Sequence, residues 1–291
     1  MTNILVTGCA GFIGFHLASK LTKKKNFVVH GIDSMNNYYN QKLKRDRLFL
    51  IKKNTKKNFK FHKIDLKKIN PLNKIFKKNK IDYVIHLAAQ PGVRYSITNP
   101  NSYIENNLIG FYNLIKLSVK YKIKHFIFAS SSSVYGYAKK FPITETGNTD
   151  QPLSLYAATK KSNELIAHSF ANIYKLPCTA LRFFTVYGPF GRPDMALFKF
   201  SEKIIKNQKI DLYNNGRHMR DFTFIDDAIN MVLKLIHKIP KNKIPIQTFN
   251  IASGKPIKLF KYLNLIEKNL NKKAKINYLP IQKGDMIKTH S

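Results

Sequence analysis

Tryptophan is absent from the 291 residues, cysteine occurs twice, and acidic residues number 16 against 51 lysines and arginines. Two cysteines, Cys9 and Cys178, cannot build a disulfide framework or a cysteine-rich zinc site. No run approaches the roughly eighteen consecutive apolar residues of a membrane-spanning helix. Met1-Thr2-Asn3 leads straight into Ile4-Leu5-Val6, without the basic segment or cleavage pattern of a secretory signal. Hydrophobic residues make up 44% of the chain and charged residues 23%. That balance argues against wholesale disorder and suits one large α/β domain or two smaller ones. The nine histidines are dispersed and suggest no metal site. Together these features read as a reduced, cytosolic, globular protein.

The missing acidity leaves a net charge of +35, which admits two readings. One is a polyanionic partner such as nucleic acid. The other is compositional bias. Forty-four of the basic residues are lysine and seven are arginine, and the lysines follow no single helix face. The second reading is favoured, so no specific nucleic-acid partner and no membrane is expected. Against this lysine background, Arg94, Arg182 and Arg192 fall in the segments singled out below, and Arg217 and Arg220 lie close together later in the chain. A guanidinium offers a planar fork of donors that an ammonium cannot replace.

Strand and helix patterns alternate through the first half. Ile4-Leu5-Val6, Phe27–Ile32, Phe59–Ile64, Tyr83-Val84-Ile85, His125–Ala129 and Cys178–Phe183 read as strands. Phe12–Leu21, the stretch carrying Ile104, Leu108, Phe111 and Ile115, and Tyr156–Tyr174 read as helices. The alternation predicts an α/β fold, a doubly wound parallel sheet of Rossmann type whose strand ends form a binding crevice. After Gly188-Pro189 the pattern loosens into helices at Phe198–Ile205, Asp226–Ile236 and Leu259–Leu270 and strands at Ile210–Tyr213 and Phe249–Ile251. We expect residues 1–185 to form the cofactor-binding domain, with segments around 221–252 returning to it. Residues 186–291 then form mainly a smaller, mixed α/β substrate lobe.

Gly8-Cys9-Ala10-Gly11-Phe12-Ile13-Gly14 follows the first strand and opens the first helix. Glycines at this spacing permit a tight turn and close backbone approach to a pyrophosphate. The helix N-terminus at Phe12 and Ile13 then presents N–H donors and a positive dipole end to that anion. Asp33, ending the second strand, can accept both ribose hydroxyls of an adenosine and repels a 2′-phosphate, which favours NAD over NADP. Asp65 can meet the adenine or simply cap its loop. Tyr156 and Lys160 lie four residues apart on one helix face. An ammonium beside a phenol favours the phenolate, and on this reading Tyr156 becomes a general base. The run Ser130-Ser131-Ser132-Ser133 at the end of a strand supplies a hydroxyl partner.

With these motifs in this order the sequence resembles the extended short-chain dehydrogenases/reductases that act on nucleotide sugars, the NAD-dependent epimerase/dehydratase family. Within them it is most similar to UDP-glucuronate 4-epimerases. The specific segments are Gly31–Tyr39, Gln90–Ser96, Ser130–Gly136, Ser154–Lys161 and Leu181–Ala196. The resemblance implies that Gly8, Gly11 and Gly14 hold the NAD pyrophosphate, Asp33 the ribose, and Leu87, Ala88 and Ala89 the cofactor's flank. It implies Tyr156 as base, Lys160 as its partner on the nicotinamide ribose, and Ser131 as the catalytic hydroxyl. Asn107 is assigned to the cofactor and substrate side, Thr185 to the sugar, Arg192 and Arg220 to the diphosphate end, and Asp285 to the nucleotide pocket.

The implied activity is 4-epimerisation of a UDP-sugar through a transient 4-keto sugar. Related 4,6-dehydratases carry Asp-Glu after the catalytic hydroxyl. Here Ser132 and Ser133 stand there, suited to a C5 carboxylate, with Arg94 adding charge. UDP-glucuronate to UDP-galacturonate is therefore the preferred reading. UDP-glucose epimerisation, dehydration, and a non-catalytic nucleotide- or nucleic-acid-binding relative are the alternatives. Homodimerisation through the helices at 101–120 and 155–174 is also implied. Family members continue several tens of residues past Asp285, so the resemblance further implies a shortened C-terminal part of the substrate lobe.

Overall fold

The computed structural model describes residues 1–291 except 56 and 283. The first half runs β1 (Thr2–Thr7), α1 (Phe12–Leu21), β2 (Phe27–Asp33), α2 (Gln41–Lys53), β3 (Phe59–Lys63), α3 (Ile69–Lys78) and β4 (Tyr83–His86). Two single-turn helices, α4 (Tyr95–Thr98) and α5 (Pro100–Tyr103), lead through a π-helical turn at Ile104–Ile109 into α6 (Gly110–Lys120). Then come β5 (His125–Ser131), α7 (Leu155–Tyr174) and β6 (Cys178–Phe183). The remainder is β7 (Thr185–Tyr187), α8 (Ala196–Ile205), β8 (Lys209–Tyr213), β9 (Met219–Phe224), α9 (Ile225–Leu235), β10 (Ile246–Ile251), β11 (Pro256–Lys258), α10 (Leu259–Leu270) and β12 (Lys275–Leu279).

Seven strands form one parallel sheet in the order β10-β6-β5-β4-β1-β2-β3. The central strands read as near-continuous apolar runs because both faces are covered. Ile4, Val6, Val29 and Ile85 share one apolar cluster with Phe12, Phe15, Leu17 and Ala18 of α1 and Ala228, Ile229 and Val232 of α9. Leu5, Val84, Phe126 and Phe128 share the opposite one with Leu72 and Phe76 of α3, Phe111 and Leu114 of α6, and Ala167 and Ala171 of α7. α9 and β10 come from late in the chain and pack on and extend this sheet.

The smaller lobe is mixed. A three-stranded sheet, β11-β9-β7, and the parallel pair β12-β8 accompany α8 and α10. Phe200, Ile204, Ile210, Leu212 and Leu263 are among the residues of its own core. No helix among the described residues is long and apolar enough to cross a membrane.

Several elements lie outside the expected pattern. α2, without an apolar stripe, and α3, whose Ile69, Leu72, Ile75 and Phe76 do form one, are regular helices outside the elements read from the sequence, and β7, β9, β11 and β12 are short or half-exposed strands. The helix read from Ile104 onward begins with a π turn rather than α geometry.

Candidate active site

Register places the chemistry. Thr7 of β1 stands opposite Ile32 of β2 and His86 of β4, so the turn at Gly8, the carboxylate of Asp33 and the segment Leu87–Ala89 emerge side by side. The strand order reverses direction between β1 and β4, where an open α/β sheet offers its crevice. A cleft of about 440 Å³ opens there.

The glycine turn at its base leaves no room for side chains. A Cβ on Gly14 would sit 2.1 Å from the Gly8 carbonyl oxygen, and one on Gly8, whose φ is +72°, would sit 2.8 Å from the Ala88 nitrogen. Gly11 is the N-cap of α1, no side chain caps the helix, and no acid stands in its first turn. Phe12, Ile13 and Gly14 at this helix end line the cleft, with no capping side chain among the described residues, which fits a dinucleotide pyrophosphate. Asp33 is buried and accepts from the backbone N–H of Ala10 (3.1 Å) and Met35 (2.8 Å). Asp65 caps its loop by accepting from Lys67 N–H and also lines the cleft.

α7 carries Tyr156 and Lys160. Ser154 caps it by accepting from Ala157 N–H at 3.2 Å, a contact worth about 1 kcal/mol. The buried face of α7 carries the small residues Ala157, Ala167 and Ala171 beside Thr159, Lys160, Asn163 and Glu164, and the alanines let the helix sit close to the sheet. Tyr156 and Lys160 therefore reach the cleft beside Ser131, Ser132 and Ser133 at the end of β5. Ser131 accepts from Ser133 N–H at 3.2 Å, which fixes the turn that follows the strand.

The electrostatics correct one expectation. Burial pushes the Tyr156 hydroxyl above the ordinary phenol value, and the Ser131 hydroxyl and Arg192 guanidinium only partly oppose it. Lys160 donates instead to the Ala129 carbonyl at 2.8 Å. Burial lowers its own pKa to about 8. The cation that acts on the phenol is Arg192, which grips Asp194 with both arms. Burial raises the Asp194 carboxyl, but Arg192 outweighs it and holds it below the usual range.

Nearly every residue singled out in the sequence lines this cleft: Gly8, Gly11, Phe12, Ile13, Gly14, Asp33, Asp65, Leu87, Ala88, Ala89, Ser131, Ser132, Ser133, Tyr156, Lys160, Thr185, Arg192, Arg220 and Asp285. Two sit elsewhere. Asn107 is buried beneath the cleft wall. Its side chain accepts from Gln90 N–H (2.7 Å) and donates to the Gln90 carbonyl and the Thr159 hydroxyl, so its polar atoms are spent on packing the π turn against the segment that follows β4 and against α7. Its neighbour Asn106 lines the cleft instead. Arg94 lies at the rim, half exposed, paired with Asp285 at 3.1 Å and stacked on Tyr213.

The structure also brings in residues that periodicity did not reveal. Tyr38, Lys44, Met286 and Thr289 line the cleft, and Arg47 lies fully buried behind the glycine turn. An arginine in a lysine-rich chain was the available signal for Arg47. Arg182 serves the scaffold: it makes a bidentate pair with Glu164 at 2.9 and 2.8 Å.

A family model described as NAD dependent epimerase/dehydratase family matches residues 4–252. The chain belongs to this family. Among its relatives, Protein CapI of Staphylococcus aureus is 47% identical, over 99% of this chain and 89% of that protein. A probable UDP-glucuronate 4-epimerase of Rhizobium meliloti is 42% identical, over 98% of this chain and 87% of that protein. The crystal structure of a UDP-glucuronic acid 4-epimerase from Bacillus cereus, in complex with UDP-glucuronic acid and NAD, is 34% identical. It superposes with a TM-score of 0.91 over 100% of this chain and 90% of that one. The epimerase/dehydratase fold of this chain is thus the expected doubly wound sheet with a smaller mixed lobe.

Proposed function

We propose that this protein is an NAD-dependent 4-epimerase that interconverts UDP-glucuronate and UDP-galacturonate. The observation that carries the reading is the meeting of Tyr156, the serine run and Arg192 over one glycine-lined cleft. Residues 1–185 with the returning segment 221–252 serve the cofactor, and the rest of 186–291 serves the sugar nucleotide.

Gly8, Gly11 and Gly14 would hold the NAD pyrophosphate, Asp33 its adenosine ribose and Lys160 the nicotinamide ribose. Bound NAD supplies the hydride acceptor and donor, and its positive ring adds the charge that burial denies the phenol. Tyr156 takes the 4-hydroxyl proton as the C4–H bond breaks, and the Ser131 hydroxyl stabilises the phenolate by hydrogen bonding. Arg192 and Arg220 hold the diphosphate end. The 4-keto sugar is left free to turn before Tyr156 returns the proton. Ser132 and Ser133 offer hydroxyl donors, and no acid, next to the catalytic position. That favours a C5 carboxylate over elimination of water.

The protein acts as a homodimer on this reading. Ile109, Tyr112 and Leu165 are 47%, 45% and 59% exposed on the π turn, α6 and α7, an apolar face suited to a second copy. Purified protein given UDP-glucuronate without added NAD should form UDP-galacturonate, followed by anion-exchange chromatography and NMR. Conversion of UDP-glucose alone, or release of a 4-keto-6-deoxy sugar, overturns the substrate assignment.

A further inference from the structure

The segment 188–195 carries Arg192 and Met195 into the lining of the cleft. It is tied down from the cofactor side at three places. His16 Nε2 lies 2.9 Å from the Pro189 carbonyl. Tyr38 donates to Asp194 at 3.2 Å. Between them the Arg47 guanidinium donates from Nε (3.2 Å) and Nη2 (2.6 Å) to the Phe190 carbonyl, and from Nη2 to the Gly191 carbonyl at 3.1 Å. Phe190 holds a left-handed φ of +55° to present that carbonyl.

Arg47 faces two ways. Its Nη1 donates to Tyr39 Oη at 2.7 Å and to the Ala10 carbonyl at 2.9 Å. Ala10 lies inside the glycine turn, and the N–H of the same residue donates to Asp33. Arg47 is 0% exposed, and all five of its hydrogen bonds end on uncharged oxygens. Among the described residues no carboxylate hydrogen-bonds to it directly, and a buried guanidinium so placed is costly unless anions stand nearby. The glycine turn it backs is shaped for one.

We infer that Arg47 couples dinucleotide binding to closure of segment 188–195. The inference rests on the reading that the glycine turn takes the pyrophosphate of NAD. An anion on the front of the turn adds counter-charge to that of Asp33, which already binds Ala10. The same guanidinium then holds the Phe190 and Gly191 carbonyls more firmly, and Arg192 is fixed in the cleft. Cofactor loading and placement of the substrate-side arginine become one event, and each stabilises the other by reciprocity. Arg47 is a positioning residue in this scheme.

The test compares protein purified with its dinucleotide and the same protein stripped with charcoal, using amide hydrogen exchange. Loading should slow exchange in residues 188–195 by about tenfold, together with residues 8–14. In Arg47→Met the protection of 8–14 should persist in weakened form, and the loading-dependent protection of 188–195 should vanish. The variant should also lose bound dinucleotide on gel filtration at least tenfold faster, with partial recovery in Arg47→Lys. A merely structural Arg47 would leave the loading-dependent difference at 188–195 unchanged in size. If loading protects 8–14 and leaves 188–195 unmoved in the wild type, the coupling is wrong whatever the variants do. If the wild-type protein takes up no dinucleotide at all, the cofactor reading fails first and the coupling with it.

Discussion

Ser130 donates its hydroxyl proton to Glu164 at 2.6 Å, so one buried contact joins the strand that ends in Ser131 to the helix that carries Tyr156 and Lys160. The same carboxylate takes both arms of Arg182, whose guanidinium also reaches Tyr135 Oη and the Glu145 carbonyl. Removing one partner of such a pair strands the other's charge. Glu164→Ala should cost about 3–5 kcal/mol in urea denaturation. A loss under about 1 kcal/mol, the size of an exposed pair, would show that the network is not what holds β5 against α7.

Protonation of Tyr156 depends on what shares its cleft. In the cofactor-free protein the phenol titrates above its ordinary value, because burial outweighs Ser131 and Arg192. Ultraviolet difference titration of wild type against Tyr156→Phe should therefore find this phenolate only in the strongly alkaline range. Loading with NAD should move the transition downward. Tyr156→Phe should retain dinucleotide and lose turnover by about 10²–10⁴-fold. A phenolate already present near neutrality without cofactor would mean that burial does not govern its titration.

Lys160 costs stability at neutral pH. Its folded pKa of about 8 lies below the ordinary 10.5. The unfolded chain therefore binds more protons between these values, and stability rises as pH climbs through that window. Below pH 8 the penalty is fully present. Lys160→Met in the cofactor-free protein should be more stable than wild type at pH 7, with the advantage shrinking by pH 10, as read by denaturant midpoints. An advantage that is independent of pH would mean the ammonium is not desolvated.

On the proposed reading, the two serines after Ser131 carry the preference for a uronate. Replacing both Ser132 and Ser133 by alanine removes donors from the sugar's C5 carboxylate. It should lower kcat/KM for UDP-glucuronate by about 10–100-fold, with a much smaller effect on UDP-glucose. Equal losses on both substrates would assign the hydroxyls to the turn's own architecture.

Asp33 holds the glycine turn through Ala10 N–H as well as facing the cleft. Asp33→Asn should weaken dinucleotide binding by about tenfold in calorimetric titration and narrow the margin between NAD and NADP. An unchanged preference would place the discrimination elsewhere in the cleft.

The parallel strands were legible because strands covered on both faces must be apolar throughout, and the helices α1, α7 and α10 showed their spacing plainly. α2 did not, for a physical reason. Of its buried residues, Lys44 and Arg47 are cations and only Leu48 and Ile51 are apolar, so no hydrophobic stripe exists to be read. α3, by contrast, carries a readable stripe in Ile69, Leu72, Ile75 and Phe76, masked to a simple reading by Pro71 in its first turn and by its five lysine and asparagine residues. At the site, spacing placed Tyr156 and Lys160 on one face correctly. It could not reveal that Lys160 would turn to the Ala129 carbonyl, because that depends on how deeply α7 seats against β5. Asn107 shows the same limit: its position in the sequence matches the site, and the π turn directs its side chain into the packing beneath.

Strand β10 closes the sheet next to β6, pairing Ile246–Ile251 with Cys178–Phe183, yet it is made long after its neighbour. During synthesis at about 5–20 residues per second, β6 waits several seconds with its outer hydrogen-bonding edge bare. Nascent chains halted before residue 246 would present an unpaired apolar ribbon to one another. The order in which the ribosome delivers the sheet thus makes its last seam the period of greatest exposure to misassembly.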